Sequence, residues 1–311
     1  VYRTGSLDRP APVRAHPDGR VDRTAGGLRL VAAEHRTFGA KAPAPADPFL
    51  VRLYSDMAEQ YGTTFDRERL ERANRTTFAE MAADLVGALP PLTHPFDLVL
   101  VASAVPDFDT RLSAASYLTE ALPGDPLAFA VGEQGDAGPH TALRLAAQYA
   151  RQGQGRHVLI TVMDQTTVPS APLPPRQGED ARDSAVALLL AEDGPGAPLS
   201  VRQESALGAD GARALLAEAL AGPLPGGAAP AVILGPGFDA RRDLPAGFSG
   251  EVLMPSPEFP CTGVWAVVAE HLPRWTGSGS RVVVADYEPE VGQLSLSTAD
   301  FTLAAAPAAV A

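Results

Sequence analysis

LAFAVGEQGDAGPHTALRLAAQYARQGQGRHVLITV, residues 127–162, is the stretch that decides the fold. Apolar LAFAV (127–131) reads as a strand, the Gly-rich segment 132–138 as a tight polar turn, 139–152 as a helix, and HVLITV (157–162) as a second strand. A strand that runs into a turn at a helix start is how many enzymes present an attacking atom. This turn holds no Cys, Ser or Thr.

Outward from that stretch the pattern continues. DLVLVASAVP (97–106) precedes it as a buried strand, SAASYLTEAL (113–122) as a helix, and SAVALLLAED (184–193) follows it as a strand. These runs predict a mostly parallel sheet covered on both faces. The order then recurs: LSVRQESAL leads into a helix over 209–221, then PAVILG, EVLMP, the helix TGVWAVVAEHLPRW (262–275), RVVVADY and VGQLSLS. The chain is thus expected to hold two duplicated β-α-β-α-β-β halves, residues 1–195 and 196–311. Outside the repeat lie the first 50 residues, with a hairpin or strand pair expected over 20–40, and two helices over 49–62 and 72–89. The Pro-rich stretch 169–183 is expected to be a loop near a site or an interface.

Bulk properties exclude several functions. The chain has 311 residues, 45% hydrophobic and 20% charged, and no apolar run near the roughly 18 residues that span a bilayer. Its formal net charge of −12 repels phosphate backbones and anionic membranes, so neither nucleic acid nor membrane is an expected partner. A single cysteine, Cys261, rules out an internal disulfide, and the six scattered histidines show no metal-ligand spacing. No cofactor is implied. VYRTGSLDRPAPVR lacks the apolar core of a signal peptide, and Val1 suggests a trimmed start; a cytoplasmic location is expected.

The duplicated α/β order resembles the thiolase fold, and particular segments resemble its ketoacyl-acyl carrier protein synthase III branch. MAADLVGALPPLTHPFDLVLVASAVPDFDTRLSAASYL resembles that family's helix, strand and Ser/Ala-rich helix. LAFAV corresponds to the strand before the nucleophile, DSAVALLLAED to a hairpin strand, and GVWAVVAEHLPRWTGSGSRVVVADY to the last helix, turn and penultimate strand. The resemblance covers about two thirds of the chain, carried by order and spacing more than by identities. It implies a five-layered α-β-α-β-α architecture and subunits that pair through their sheets.

The departures from the pattern bear on function. In the family a catalytic Cys sits at a helix start, where the helix N-terminus lowers the thiol pKa and backbone amides hold an oxyanion. Here Gly135 falls at that position, Pro236 at the family's His and Pro257 at its Asn, and the glycine-rich final loop becomes YEPEVGQ. Alternative chemistry could come from His140 with Glu133 or Asp136, an acid/base set on a turn, or from Cys261 just before a helix. The plainer reading makes Asp136 a helix cap, with Pro139 early in the helix, and Cys261 a packed core residue. Arg241 falls where the resemblance implies contact with a carrier protein or phosphopantetheine arm, and Arg242 follows it. GPG at 235–237 only superficially suggests a phosphate loop.

The resemblance therefore implies a catalytically degenerate synthase III-like subunit in acyl-chain or polyketide assembly of secondary metabolism. Its expected partners are an active synthase or a second copy, and an acyl carrier protein or acyl-CoA. Two alternatives remain: an active acyltransferase or condensing enzyme using the non-family residues, and an acyl-thioester binding module.

Overall fold

The computed structural model describes residues 27–90, 94–167, 170–171, 181–194, 196–222, 224 and 228–301. The first half runs β1 (Arg29–Thr37), α1 (Pro48–Tyr61), β2 (Thr64–Phe65), α2 (Arg67–Arg72), α3 (Phe78–Ala88), β3 (Leu98–Ser103), α4 (Ala114–Ala121), β4 (Leu127–Val131), α5 (Ala137–Arg151), β5 (His157–Asp164), β6 (Ser170–Ala171) and β7 (Ser184–Ala191). The second runs β8 (Ala197–Glu204), α6 (Ala209–Leu220), β9 (Ala231–Leu234), α7 (Ala240–Asp243), β10 (Glu251–Leu253), α8 (Gly263–Trp275), β11 (Arg281–Glu288) and β12 (Gln293–Asp300).

Ten strands follow the order β10-β9-β11-β12-β8-β1-β7-β5-β3-β4. Read from either edge, the connectivity is the same: β4-β3-β5-β7-β1 matches β10-β9-β11-β12-β8. Among the described residues the two five-stranded sheets join at the β1–β8 junction, where Arg29 and Leu30 meet Pro198 and Ala197 and the Leu199 N–H donates to Leu28 O. From that corner they face each other across two helices. α5 packs on β3, β4 and β5 on one side and on β8 and β12 on the other, while α8 packs on β1, β7 and β9. Helices α3 and α4 cover the outer face of the first sheet and α6 that of the second. This is the α-β-α-β-α layering that the resemblance implies.

Composition explains the middle layer. α5, pressed between two sheets, buries Ala142, Leu143, Ala146, Ala147 and Ala150, mostly small residues that admit both sheets, and keeps only a polar edge of Arg144, Gln148 and Arg151 exposed. α8 contributes Trp265 and Trp275, each under 4% exposed, to the same core. Separate apolar clusters sit under the outer helices, with Phe78, Met81 and Leu118 on one side and Leu216, Phe238 and Tyr287 on the other.

Several sequence expectations change. The sheets are mixed rather than mostly parallel: β3–β4, β3–β5, β9–β10 and β9–β11 are parallel, and the remaining pairs are antiparallel. β12 returns from β11 through a tight hairpin, which only antiparallel strands allow. The hairpin expected over 20–40 is, within the described residues, a single strand that joins the repeat by pairing with β7. The first half therefore begins one strand and one helical stretch earlier than the sequence suggests, while the second begins where expected, with β8 and α6. The helix expected over 72–89 starts at Phe78, because Thr77 and Glu80 form a capping box there. Most of 169–183 lies outside the described residues; Ser170–Ala171 pairs with β2.

Candidate functional site

β4 delivers the chain to the turn before α5. Glu133 (φ 60°) and Gly135 (φ 51°) both adopt the left-handed region, which is costly for a side-chain-bearing residue such as Glu133. Around Gly135 a Cβ would meet nothing within 4 Å. Gly135, where the resemblance would put a nucleophile, thus faces open space on a backbone that glycine adopts readily. Asp136 occupies the N-cap position with helical dihedrals (φ −69°, ψ −13°), and its side chain makes no capping bond, contrary to the expected cap. The turn itself removes the need. The Ala137 N–H donates to Gln134 O (3.1 Å), the Gly138 N–H to Gly135 O (3.2 Å), and Pro139 has no N–H to satisfy.

His140 does not join Glu133 and Asp136 in an acid/base set. It is 0% exposed and points inward, where Nε2 lies 2.9 Å from Asp286 Oδ2 and Nδ1 lies 2.7 Å from Ser297 Oγ. Its ring meets Trp265 edge-on at 5.1 Å. With Asp286 ionised and able only to accept, Nε2 donates to it and Nδ1 accepts from Ser297. The imidazole therefore bolts α5 to β11 and β12.

Cys261 is 2% exposed, and its Sγ lies 3.9 Å from Gly135 O, directly beneath the turn. The helix-end N–H groups that would favour a thiolate are already spent. Cys261 N donates to both oxygens of Asp164 (3.0 and 2.9 Å), and Thr262 donates to Oδ2 through N and Oγ1 (both 2.7 Å). Ser184 Oγ closes the group against Thr262 Oγ1. Burial pushes the Asp164 carboxyl up to about 6, against the lowering effect of its bonds to Thr262 and Cys261. Asp183, beside it in sequence with Ser184, binds Thr166 and Asn74. Sequence reasoning missed Asp164, Asp286 and Ser297; the signal was an acidic or hydroxyl residue on the inner face of an otherwise apolar strand.

In the second half, Pro236 and Pro257 are exposed. GPG is a close-packing device rather than a phosphate loop. A Cβ on Gly235 would stand 1.8 Å from Asp286 Oδ1, and one on Gly237 would stand 1.7 Å from Tyr287 O. Of the basic pair, Arg242 is gripped by Asp243 through Nε (2.8 Å) and Nη2 (2.9 Å), which raises its pKa, while Arg241 makes no ion pair among the described residues. Asp239 caps the short α7 by accepting from both of their N–H groups. The charge of Arg242 is thus offset by Asp243, whereas the guanidinium of Arg241 stays exposed.

Two cavities flank the turn. One, of about 560 Å³, is lined by Glu133 to Ala137, Arg144, Gln203, Asp286 and the β11–β12 hairpin. The other, of about 470 Å³, lies between α3, α4 and the end of β4, with Phe78, Val101, Ala115 and Ala130 in its wall and the half-exposed Leu112 beside them. Among the described residues no group of three His, Cys, Asp or Glu could hold a metal, and no helix is long and apolar enough to cross a membrane.

Duplicated halves, two buried central helices and a strand-turn-helix at the centre define the thiolase class of fold. Solved structures of acyl-transferring and condensing enzymes share it. ChlB3, described as an acyltransferase, superposes with a TM-score of 0.57 at 16% identity over 89% of this chain and 98% of its own. AbyA1, a tetronic acid condensing enzyme, gives 0.57 and 16% over 88% and 99%. A 3-oxoacyl-(acyl-carrier protein) synthase from Burkholderia xenovorans gives 0.53 and 16% over 89% and 94%. No sequence-family model and no curated protein matches the chain.

Proposed function

We propose that this chain is a catalytically degenerate synthase III-like subunit that pairs with an active synthase in acyl-chain or polyketide assembly. The observation that carries the reading is Gly135: the turn is kept, and the residue at its tip has no atom with which to attack. Pro236 and Pro257 leave the two partner positions equally inert. Among the described residues a pairing surface is available at the free edge of the first sheet, where β4 exposes Leu127 (52%) at its start and Ala130, in the wall of the apolar cavity, near its end. An unpaired apolar edge strand of this kind is a template for another chain. The exposed Arg241 supports a contact with an acidic carrier protein.

The test is co-expression with a synthase that retains Cys, His and Asn, encoded beside this chain. Co-purification as a 1:1 complex, lost in Leu127→Asp, is the expected result. A stable monomer at micromolar concentration that ignores every such partner would sink the reading. A second reading, an active acyltransferase, draws on Cys261 lying under the turn. Intact-mass measurement after incubation with an acyl-CoA separates the two: an adduct absent from Cys261→Ala would establish the second, and an unmodified chain supports the first.

A further inference from the structure

The larger cavity has a chemistry that subunit pairing does not use. Among the described residues its lining carries the carboxylates of Glu133, Asp136, Asp286 and Glu288 and the guanidinium of Arg144, with amide and hydroxyl side chains such as Gln203 in much of the rest. We propose that it binds a small organic ammonium ion, anchored by the carboxylate of Asp286.

Asp286 makes this more than an acidic surface. The residue is 5% exposed yet lines the cavity, and its one hydrogen bond uses Oδ2, to His140. Oδ1 has no hydrogen-bond partner among the described residues. A carboxylate has about four acceptor sites, and Oδ1 is not sealed in the core, so it is left to accept from a donor that enters the cavity. Glu133, exposed at the mouth, makes no ion pair among the described residues, so a second negative charge stands where a cation would enter. Phosphate-bearing ligands are disfavoured by the same charges, and the polar walls suit a body rich in hydroxyl or amine groups. An amino sugar and a diamine both present that chemistry.

Calorimetric titration of the full chain at low ionic strength tests the proposal, with glucosamine and putrescine as probes and N-acetylglucosamine as the uncharged control. Saturable binding of one or both amines is expected, and the one that binds identifies the source; the acetylated sugar gives no signal. Glu133→Gln weakens binding severalfold, and Asp286→Asn, its fold checked by circular dichroism, weakens it by roughly tenfold or more. No saturation by either amine up to about 10 mM, a range that captures even weak ligands, overturns the proposal. So does equal binding of the acetylated sugar, or wild-type affinity in a folded Asp286→Asn. If Asp286→Asn does not fold, unchanged affinity in Glu133→Gln overturns it alone.

Discussion

Asp164 and Asp286 sit near the ends of corresponding strands, β5 and β11, and each reaches across to the buried helix of the other half. Each works with a hydroxyl from the neighbouring strand, Ser184 or Ser297. Their targets differ. Asp164 takes the N–H groups of Cys261 and Thr262 and the Thr262 hydroxyl just before α8, filling the approach to that helix end. Asp286 takes an imidazole one turn into α5 and leaves the start of α5 bordering a cavity. Duplication thus preserved a cross-brace in both halves while filling the approach to one helix end and keeping the other accessible. The accessible end is the one where the resemblance places chemistry.

The sharpest way to break the comparison is Asp164→Ala. It strands the N–H groups of Cys261 and Thr262 and the Thr262 hydroxyl in the core, at an expected cost of about 3 kcal/mol or more, read from urea unfolding. Gly235→Ala drives a methyl group into Asp286 and should cost about 2 kcal/mol while leaving the Asp164 brace untouched. His140→Phe keeps ring volume but removes the partner of Asp286 Oδ2, for about 2 kcal/mol; a cycle with Asp286→Asn should give a coupling of about 1 kcal/mol.

A subtler difference lies in pH. Because the folded Asp164 titrates at about 6, above its ordinary 3.8, the native state binds more protons than the unfolded chain between those values. Its contribution to stability is fully present below about pH 4 and falls as pH rises to about 6, then levels off. The stability difference between wild type and Asp164→Asn should follow that curve in unfolding titrations. A flat difference would mean that the carboxyl is not buried as described. Smallest of all, Arg241→Ala should move stability by no more than about 0.5 kcal/mol, since the side chain makes no ion pair that the fold needs.

Much of this was legible in the chain. LAFAV, HVLITV and RVVVADY announce strands through unbroken apolar runs, and the turn at 132–138 announces itself through glycine. The leading strand of the first half was harder, because β1 (RLVAAEHRT) turns charged after its short apolar run and its pairing with β7 is a contact between residues far apart in sequence. Site residues divide the same way. A missing Cys at Gly135 can be read locally, whereas the partners of His140 are contributed by strands about 150 positions away, as the separations of 146 and 157 show. Asp136 misled for a different reason: a good capping residue stands at the cap position, but backbone bonds and a proline had already removed the demand.

The imidazole of His140 also works as a built-in clock. Held between an acceptor and a donor and shut off from solvent, its Nε2 proton can leave only when the two sheets part from α5. Hydrogen exchange at that one nitrogen would time how often the middle layer of the molecule opens.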